Sequence, residues 1–442
     1  MRSCDQDDRT TDPRSSVSDR LARAARMHGT NKVAVSEFQL PEIGPDELLL
    51  RVVSSSMCLS TYKALALGSE HKRVPETLAS EPVITGHEFA GVLEEVGADL
   101  SGRFSVGQSV AILPTMNLPT GYSPGYSYPF FGGDATYCIV PAIAVEKGCV
   151  LPYNGGYYAN GSLAEPMSCI IGAFHASYHT EPLVWEHQMG IRTGGSLALL
   201  GSGGAMGVGA LDYALHGPFR PRLVVAVDVS DERLGRLRTL FPPEEARSRG
   251  CQLEFLNAAE VDPVQVLAEF AGGDGYDDVV VFAAVRELIE TGDAVLARDG
   301  CLNFFAGPTD RSFSAGLNLY NVHYEGTHVV GTSGGSRADM EESLSLSASG
   351  EINPSRMVSH VGGLDAVPDA LTSLPGFTGG KILIYPHVDM DLTAIADFAS
   401  LGEDPRFARL AEICAPGDNI WNQEAEAYVL EAFGSPRIGW SQ

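Results

Sequence analysis

The sequence is short of positive charge and of long apolar segments. Its 442 residues contain 30 Lys and Arg against 56 Asp and Glu, which gives a formal net charge of −26. A deficit of cations on this scale argues against binding to nucleic acid phosphates or to an anionic membrane surface. No apolar run reaches the roughly 18 residues that a membrane-spanning helix needs. We therefore expect neither nucleic acid nor membrane as a partner.

The sequence also lacks paired cysteines and an apolar signal segment. None of its eight cysteines forms a CxxC pair. This pattern is typical of a reduced chain and predicts a cytoplasmic location. The first 26 residues hold five Asp and six Arg among many Ser and Thr, so we expect a disordered tail over residues 1–26.

The remaining sequence shows different hydrophobic patterns in successive regions. From Lys32 to Val150, short strand-like segments alternate with Pro, Gly and polar breaks, which predicts a β-rich region. From Gly194 onward, apolar runs alternate with spacers of helical length, as in a parallel sheet covered by helices on both faces. Beyond Asp391 the pattern turns helical, and Asp404 followed by Pro405 predicts a helix N-terminus.

A glycine-rich turn joins the first strand of the second region to a helix. The strand Ser196–Leu200 is followed by GSGGAMG at 201–207. In such a turn, backbone N–H groups approach a pyrophosphate at the start of a helix. We align the G-x-G-x-x-G pattern on Gly204 and Gly207, which places Ser202 at its first position and Met206 before its last. The second alignment, on Gly201 and Gly203, ends at Met206, and a plain strand–helix turn is the alternative to both.

An acidic residue ends the next strand. Asp228 follows Gly204 by 24 residues, where a carboxylate can accept a hydrogen bond from the adenosine ribose. A helix N-cap is the alternative role for Asp228. The carboxylate favours NAD(H) over NADP(H), because a 2′-phosphate would meet a negative charge. Arg233 lies close enough in sequence to keep NADP(H) possible.

Three residues carry the donor atoms that zinc prefers. Cys58 ends a strand-like segment, His87 lies in Gly-His-Glu at 86–88, and Glu165 precedes a proline. Thiolate, imidazole and carboxylate leave a fourth position open for water or substrate, which is the catalytic zinc pattern. From spacing alone, a small buried Cys58 and a core histidine at 87 are the alternative.

The order of these segments resembles the zinc-dependent medium-chain dehydrogenases. A strand ending in Cys-x-Ser precedes GHEFAGVLEEVG (86–97), GRFSVGQSVAI (102–112), LAEPMSC (163–169) and the glycine-rich turn. The resemblance covers Lys32 to Pro386 and implies an α/β chain in several parts. These are a GroES-like β-rich catalytic domain over 27–185, a Rossmann doubly wound parallel sheet domain over 186–333, a return to the catalytic domain over 334–390, and a helical extension over 391–442.

The resemblance also implies a role for individual residues. One Zn²⁺ would be held by Cys58, His87 and Glu165. Glu88 would be a carboxylate behind the ligands or a transient ligand, and Ser60 would be the proton-relay hydroxyl. Lys63 stands where some members place the outer relay base. The four-cysteine lobe that holds a second, structural zinc is missing, because residues 113–137 contain no cysteine.

The same resemblance implies the substrate class. The segment Gly331, Thr332 and Ser333 would line the nicotinamide, with a simple turn as the alternative. The chain is most similar to members that reduce a ketose phosphate, and L-sorbose 1-phosphate giving D-glucitol 6-phosphate is the leading hypothesis. Lys72 or Arg73 would hold the phosphate, unless both lie in a solvated loop. Homo-oligomers are expected.

Three other functions stay open at this stage. One is a dehydrogenase of the same fold that acts on an unphosphorylated polyol or secondary alcohol. The others are a zinc-free nucleotide-binding redox sensor and a zinc-free quinone reductase. The intact set of Cys58, His87 and Glu165 weighs against both zinc-free alternatives.

Overall fold

The computed structural model describes residues 17–435 and is a mixed α/β structure. The strands are β1 (Val17–Gly29), β2 (Lys32–Pro41), β3 (Leu48–Ser56), β4 (Val83–Ile84), β5 (Glu88–Val96), β6 (Ser109–Ile112), β7 (Tyr137–Val140), β8 (Val150–Pro152), β9 (Tyr178–Glu181), β10 (Val184–Met189), β11 (Ser196–Leu200), β12 (Leu223–Asp228), β13 (Gln252–Asn257), β14 (Tyr276–Val281), β15 (Leu296–Phe304), β16 (His328–Gly331), β17 (Val358–Gly363), β18 (Lys381–Tyr385) and β19 (Thr393–Ala394). The α-helices are α1 (Leu59–Leu67), α2 (Ala142–Glu146), α3 (Tyr158–Ala176), α4 (Ala205–His216), α5 (Asp231–Leu240), α6 (Pro243–Ser248), α7 (Pro263–Phe270), α8 (Arg286–Ala294), α9 (Leu319–Tyr324), α10 (Arg337–Ser349), α11 (Val367–Ser373), α12 (Pro405–Cys414) and α13 (Gln423–Ala432).

The β-rich part is built on an eight-stranded sheet. Its order is β19-β17-β18-β3-β5-β6-β8, with β7 also paired to β3. Eight of the nine residues of β3 are buried, five of them apolar and the last three serines. Strands β17 and β18 come from a segment far along the chain, yet β18 pairs antiparallel with β3. The end of β3 is therefore assembled from segments distant in sequence.

The N-terminal part corrects one expectation. We expected disorder over residues 1–26, but β1 begins at Val17 and pairs antiparallel with β2 in a three-stranded sheet with β4. The expectation is wrong for residues 17–26, and residues 1–16 lie outside the described residues. The strand was missed because its buried positions are alanines such as Ala22 and Ala24, which have weak strand propensity.

The second sheet has six strands, all paired in parallel. Its order is β13-β12-β11-β14-β15-β16, the arrangement of a Rossmann sheet. Every residue of β11 is buried, as expected for a central strand with helices on both faces. The chain reverses its direction of winding between β11 and β14, and in sheets of this kind ligands bind at the carboxyl ends of the strands at that point. The predicted doubly wound sheet beside a β-rich part is confirmed.

The C-terminal helices pack back onto the rest of the chain. Helix α12 starts as the sequence predicts: the side chain of Asp404 accepts a hydrogen bond from the N–H of Arg406, and Pro405 is the first helical residue. Leu410, Cys414 and Trp421 are fully buried in the apolar cluster that also contains side chains of α3 and α4. Among residues 17–435, no helix is both long and apolar enough to cross a membrane.

Candidate active site

Two neighbouring strands bring Cys58 and His87 together. Strand β3 pairs antiparallel with β5, with Ser56 opposite Glu88. Cys58 follows the end of β3 and His87 precedes the start of β5, so both side chains leave the sheet at the same edge. One ligand atom each from Cys58, His87 and Glu88 forms a group with all separations within 4.8 Å. Burial, and then the charge of Glu88, raises the pKa of the Cys58 thiol.

The imidazole of His87 has hydroxyl groups at both of its ring nitrogens. Its Nδ1 lies 3.1 Å from Oγ1 of Thr61, which orients the ring and turns Nε2 toward the site. The hydroxyl of Tyr126 lies 3.3 Å from Nε2. Burial lowers the pKa of His87, which favours the neutral imidazole that a metal requires.

Ser60 lies at the centre of this group. Its hydroxyl is 3.0 Å from Sγ of Cys58 and 2.8 Å from the hydroxyl of Tyr126. Tyr126 belongs to the tyrosine-rich loop between β6 and β7 and is fully buried, and burial raises the pKa of its hydroxyl. The sequence identified Ser60 but gave Tyr126 no certain role, because nothing local to the loop indicates that it folds onto Ser60.

Glu88 is paired with a lysine that the sequence did not single out. Nζ of Lys381, the first residue of β18, lies 2.6 Å from both carboxylate oxygens, and Ser56 donates a hydrogen bond to the same carboxylate. Burial alone would raise the pKa of Glu88, but Lys381 and then His87 lower it overall. Glu88 is therefore a carboxylate with its charge already balanced.

Glu165 has a different environment. It lies on α3, is 7% exposed, and accepts a hydrogen bond from Sγ of Cys169 at 3.7 Å, a weak donor. Burial, and then the charge of Glu88, raises the pKa of Glu165 to about 7. A buried carboxyl group with so weak a donor fits a group that binds a cation.

This donor set is chemically suited to zinc. A thiol and an imidazole with its second nitrogen anchored lie together, and the buried carboxyl group of Glu165 acts electrostatically on both; these are the ligand types of a catalytic Zn²⁺ site. The tight group of atoms contains Glu88 in place of the predicted ligand Glu165. Because Lys381 occupies both oxygens of Glu88, we retain Glu165 as the predicted third ligand.

The cationic residues lie on two sides of the site. Nζ of Lys63 donates to the carbonyl oxygen of Gly307 at 2.6 Å, so this side chain reaches across to the loop after β15. The structure thus directs Lys63 away from the hydrogen bonds of Ser60, where the predicted outer relay base would lie. The guanidinium of Arg73 lies 5.1 Å from the ring centroid of Tyr126. Lys72 and Arg73 line a cavity of about 200 Å³ together with the tyrosine-rich loop.

The glycine-rich turn lies between β11 and α4, as predicted. Gly204 is the N-cap of α4, and a Cβ at Gly207 would lie 2.1 Å from the carbonyl oxygen of Ser202. Gly207 is thus the close-packing glycine that the alignment proposed, with Met206 beside it in the first turn of the helix. The tight turn itself is made at Gly201, whose φ of +73° favours glycine, whereas the alignment placed Ser202 at that step.

Asp228 ends β12 and holds the turn. One of its carboxylate oxygens accepts from the N–H of Gly203 at 2.9 Å, and the other accepts from the N–H groups of Val229 and Ser230. Nη1 of Arg233 lies 3.6 Å from the second oxygen. The N-cap of α5 is Ser230, which excludes the alternative role considered for Asp228.

The predicted nicotinamide segment lies where β16 ends. Gly331 is the last residue of that strand and pairs with Phe304 of β15. Oγ1 of Thr332 lies 3.3 Å from Oδ1 of Asn303, a fully buried side chain whose amide donates to the carbonyl of Ala173 in α3. Ser333 follows and is exposed. The three residues therefore lie at the carboxyl edge of the sheet, beside the helix that carries Glu165.

Comparison with known families and proteins shows which family the chain resembles. Residues 44–167 match the alcohol dehydrogenase GroES-like domain, and residues 205–349 match the zinc-binding dehydrogenase domain. The chain is 56% identical over 412 residues to mannitol-1-phosphate 5-dehydrogenase of Aliivibrio fischeri, covering 93% of this chain and 97% of that protein. It is 41% identical over 408 residues to L-sorbose 1-phosphate reductase of Klebsiella pneumoniae, covering 92% and 97%.

Solved structures with low sequence identity share the fold. The 2R,3R-butanediol dehydrogenase of Bacillus subtilis superposes with a TM-score of 0.67 at 20% identity, covering 83% of this chain and 99% of that one. The same TM-score and identity are found for the NADP-bound structure of a Sinorhizobium meliloti 1021 protein assigned as a zinc-binding dehydrogenase, which covers 83% and 100%.

Proposed function

The chain belongs to the zinc-dependent medium-chain dehydrogenases, and on that premise we propose that it interconverts a ketose phosphate and a hexitol phosphate with NAD(P)(H). In the reducing direction, hydride leaves the nicotinamide and adds to the carbonyl carbon, while the carbonyl oxygen takes up one proton. The products are the secondary alcohol and the oxidised cofactor. The leading substrate pair is L-sorbose 1-phosphate and D-glucitol 6-phosphate.

One observation supports this proposal: the hydroxyl of Ser60 lies 3.0 Å from Sγ of Cys58 and 3.4 Å from Nε2 of His87, and the buried carboxyl group of Glu165 is near enough to act on the charge of His87. Zn²⁺ held by Cys58, His87 and Glu165 would supply Lewis-acid polarisation of the substrate oxygen. Ser60 is placed to hand its proton to that oxygen. Tyr126, 2.8 Å away, shares a hydrogen bond with this hydroxyl and orients it, and burial raises the pKa of Tyr126, which keeps the phenol neutral.

The cations beside Tyr126 suit the phosphate group. The chain is strongly acidic, so an anionic substrate needs local positive charge. Arg73 packs against one aromatic ring, and the hydroxyl of that ring reaches His87. A guanidinium in this position can bind phosphate oxygens with two hydrogen bonds while the reacting carbon stays beside Ser60.

A metal analysis with an activity screen tests the zinc-dependent reaction. We expect about one zinc per chain, with no second structural zinc, and reduction of ketose phosphates by NADH or NADPH. Cys58→Ser is expected to lose both zinc and activity, whereas Cys251→Ser, far from the site on the second sheet, keeps both. A wild-type enzyme that is fully active without zinc would overturn the proposal and favour a zinc-free function.

The substrate panel tests the phosphate requirement. We expect replacement of Lys72 and Arg73 by Ala to lower kcat/KM about a hundredfold for the phosphorylated ketose, and little for the unphosphorylated ketose. Equal losses on both substrates would refute the anchor and favour a dehydrogenase of free polyols.

Sequence identity favours D-mannitol 1-phosphate as a second candidate substrate. The 56% identity to mannitol-1-phosphate 5-dehydrogenase exceeds the 41% identity to L-sorbose 1-phosphate reductase. D-Mannitol 1-phosphate therefore belongs in the panel beside D-glucitol 6-phosphate, and the higher kcat/KM decides between them. The choice between NAD(H) and NADP(H), the cytoplasmic location and the homo-oligomeric state stay predictions.

A further inference from the structure

The helix that carries Glu165 begins without a cap of its own. Tyr157 is the N-cap residue of α3, and its side chain makes no capping hydrogen bond. The first N–H groups of a helix need acceptors from elsewhere. Here they are found on Glu426, whose Oε1 accepts from the N–H of Tyr158 at 2.5 Å and whose Oε2 accepts from the N–H of Ala159 at 2.7 Å.

Glu426 comes from α13, more than 250 residues further along the chain. It is 1% exposed, and its Oε2 also accepts from the hydroxyl of Tyr385 at 2.9 Å. That hydroxyl accepts in turn from Nε1 of Trp421 at 2.7 Å. The carboxyl group is thus fixed on the side of α13 as well as on the side of α3.

The position of the cap matters because α3 is interrupted directly after Glu165. Pro166 has no N–H, so the carbonyl of Ser162 lacks its normal partner within the helix. The first two turns of α3 are therefore less firmly tied to the remainder of the helix. Ser162 contacts Ser54 of β3 through a hydroxyl pair at 2.8 Å, and Glu426 holds the free end.

We propose that Glu426 is a positioning residue for the metal site, which holds the first two turns of α3 so that Glu165 faces Cys58 and His87. This inference rests on the proposed function, because it takes Glu165 as a zinc ligand. The C-terminal helices are then a part of the catalytic apparatus that acts without touching substrate or cofactor.

The test is the rate at which the enzyme releases zinc to a chromophoric chelator at pH 8. In Glu426→Gln, the amide can accept at one oxygen only and leaves one N–H of α3 unpaired. We expect zinc release to become about tenfold faster and kcat to fall, with the KM for the cofactor unchanged. The matched control is Glu424→Gln on the same helix, whose side chain is exposed and pairs with Arg409, and it should release zinc like the wild type.

A merely structural role would give a different result. Lower thermal stability of Glu426→Gln with zinc release at the wild-type rate would overturn the inference. If this variant does not fold, Tyr385→Phe decides, since it removes one hydroxyl from the same carboxyl group. We expect about threefold faster release from it, and an unchanged rate would overturn the inference. The zinc content of the wild type is measured before any variant is compared. A wild type that binds no zinc would refute the proposed function itself.

Discussion

Two glutamates with the same burial, Glu88 in the metal site and Glu426 between α13 and α3, behave in opposite ways. Each is 1% exposed. Burial alone would raise the pKa of Glu88, but Lys381, His87 and Ser56 together lower it. The pKa of Glu426 is raised to about 7 by burial, although the N–H groups of Tyr158 and Ala159 and the hydroxyl of Tyr385 oppose the shift.

The difference teaches that neutral donors do not replace a cation at full burial. Three hydrogen bonds satisfy the oxygens of Glu426, yet its negative charge stays unfavourable. Glu88 instead has an ammonium group at 2.6 Å, and with His87 and Ser56 this cation lowers its pKa. We therefore expect the charge at the predicted metal site to depend strongly on Lys381, and the α3–α13 contact to depend on pH.

The largest expected effect follows from removing that side chain. In Lys381→Met, the charge of Glu88 stays buried without its ammonium partner, so we expect the free energy of unfolding to fall by about 3–5 kcal/mol. Urea unfolding at pH 7, followed by circular dichroism, measures it. Without the ammonium group of Lys381, Glu88 would resemble Glu426, a buried carboxyl group with no cation beside it in the described part of the chain.

Two further variants separate charge from packing. The double variant Glu88→Gln with Lys381→Met removes both charges and should recover part of the lost stability. Lys147→Met changes an exposed lysine and should alter stability by less than about 0.5 kcal/mol. A double variant no more stable than Lys381→Met would show that the charge of Glu88 is not the cause.

The second prediction concerns the pH dependence of Glu426. A carboxyl group whose pKa is higher in the folded state binds its proton more tightly there, so its contribution is complete below the unfolded pKa of about 4.3. That contribution is lost as the pH rises through about 7. We expect the stability of the wild type relative to Glu426→Gln to fall by up to about 3 kcal/mol between pH 5 and pH 8.

The neighbouring groups allow this shift to be assigned to Glu426. Tyr153, Tyr157 and Tyr385 face it, and burial raises the pKa of each, so none titrates in the same range. Comparing two variants also cancels the titration of Glu165. Urea unfolding of the zinc-loaded proteins at five pH values is sufficient, and a difference that does not change with pH would contradict the prediction.

Features that are local in sequence could be predicted to within about one residue. The strand β11, the turn after it and Asp228 at the end of β12 lie close together in the chain, so hydrophobic pattern and glycine spacing were enough. The alignment was wrong by one residue at the tight turn. Gly201 is needed there for its positive φ, and a backbone angle cannot be read from the sequence. Asp404 and Pro405 predicted α12 in the same way, from a cap that uses adjacent residues.

Features assembled from distant segments could not be predicted. Lys381 opens an ordinary apolar strand and lies 293 residues from Glu88, so only the pairing of β18 with β3 shows its role. Tyr126 and Glu426 are similar cases, each an unremarkable residue in its own segment. The ligand types of the metal site were recognisable from family resemblance, whereas the groups that orient and neutralise them depend on tertiary structure.

The smallest expected effect concerns the ion pair of Arg233 with Asp228, beside the glycine-rich turn. Arg233 and Asp228 lie 3.6 Å apart with the arginine side chain 35% exposed, in contrast to the enclosed Lys381 and Glu88. Because such a pair is solvated, Arg233→Ala should cost less than about 1 kcal/mol of stability. It should raise the KM for NADPH about threefold and leave that for NADH unchanged, since the guanidinium offers charge to a 2′-phosphate. Arg247→Ala, an exposed control on α6, should change neither KM, and equal increases for both cofactors would show that Arg233 does not discriminate between them.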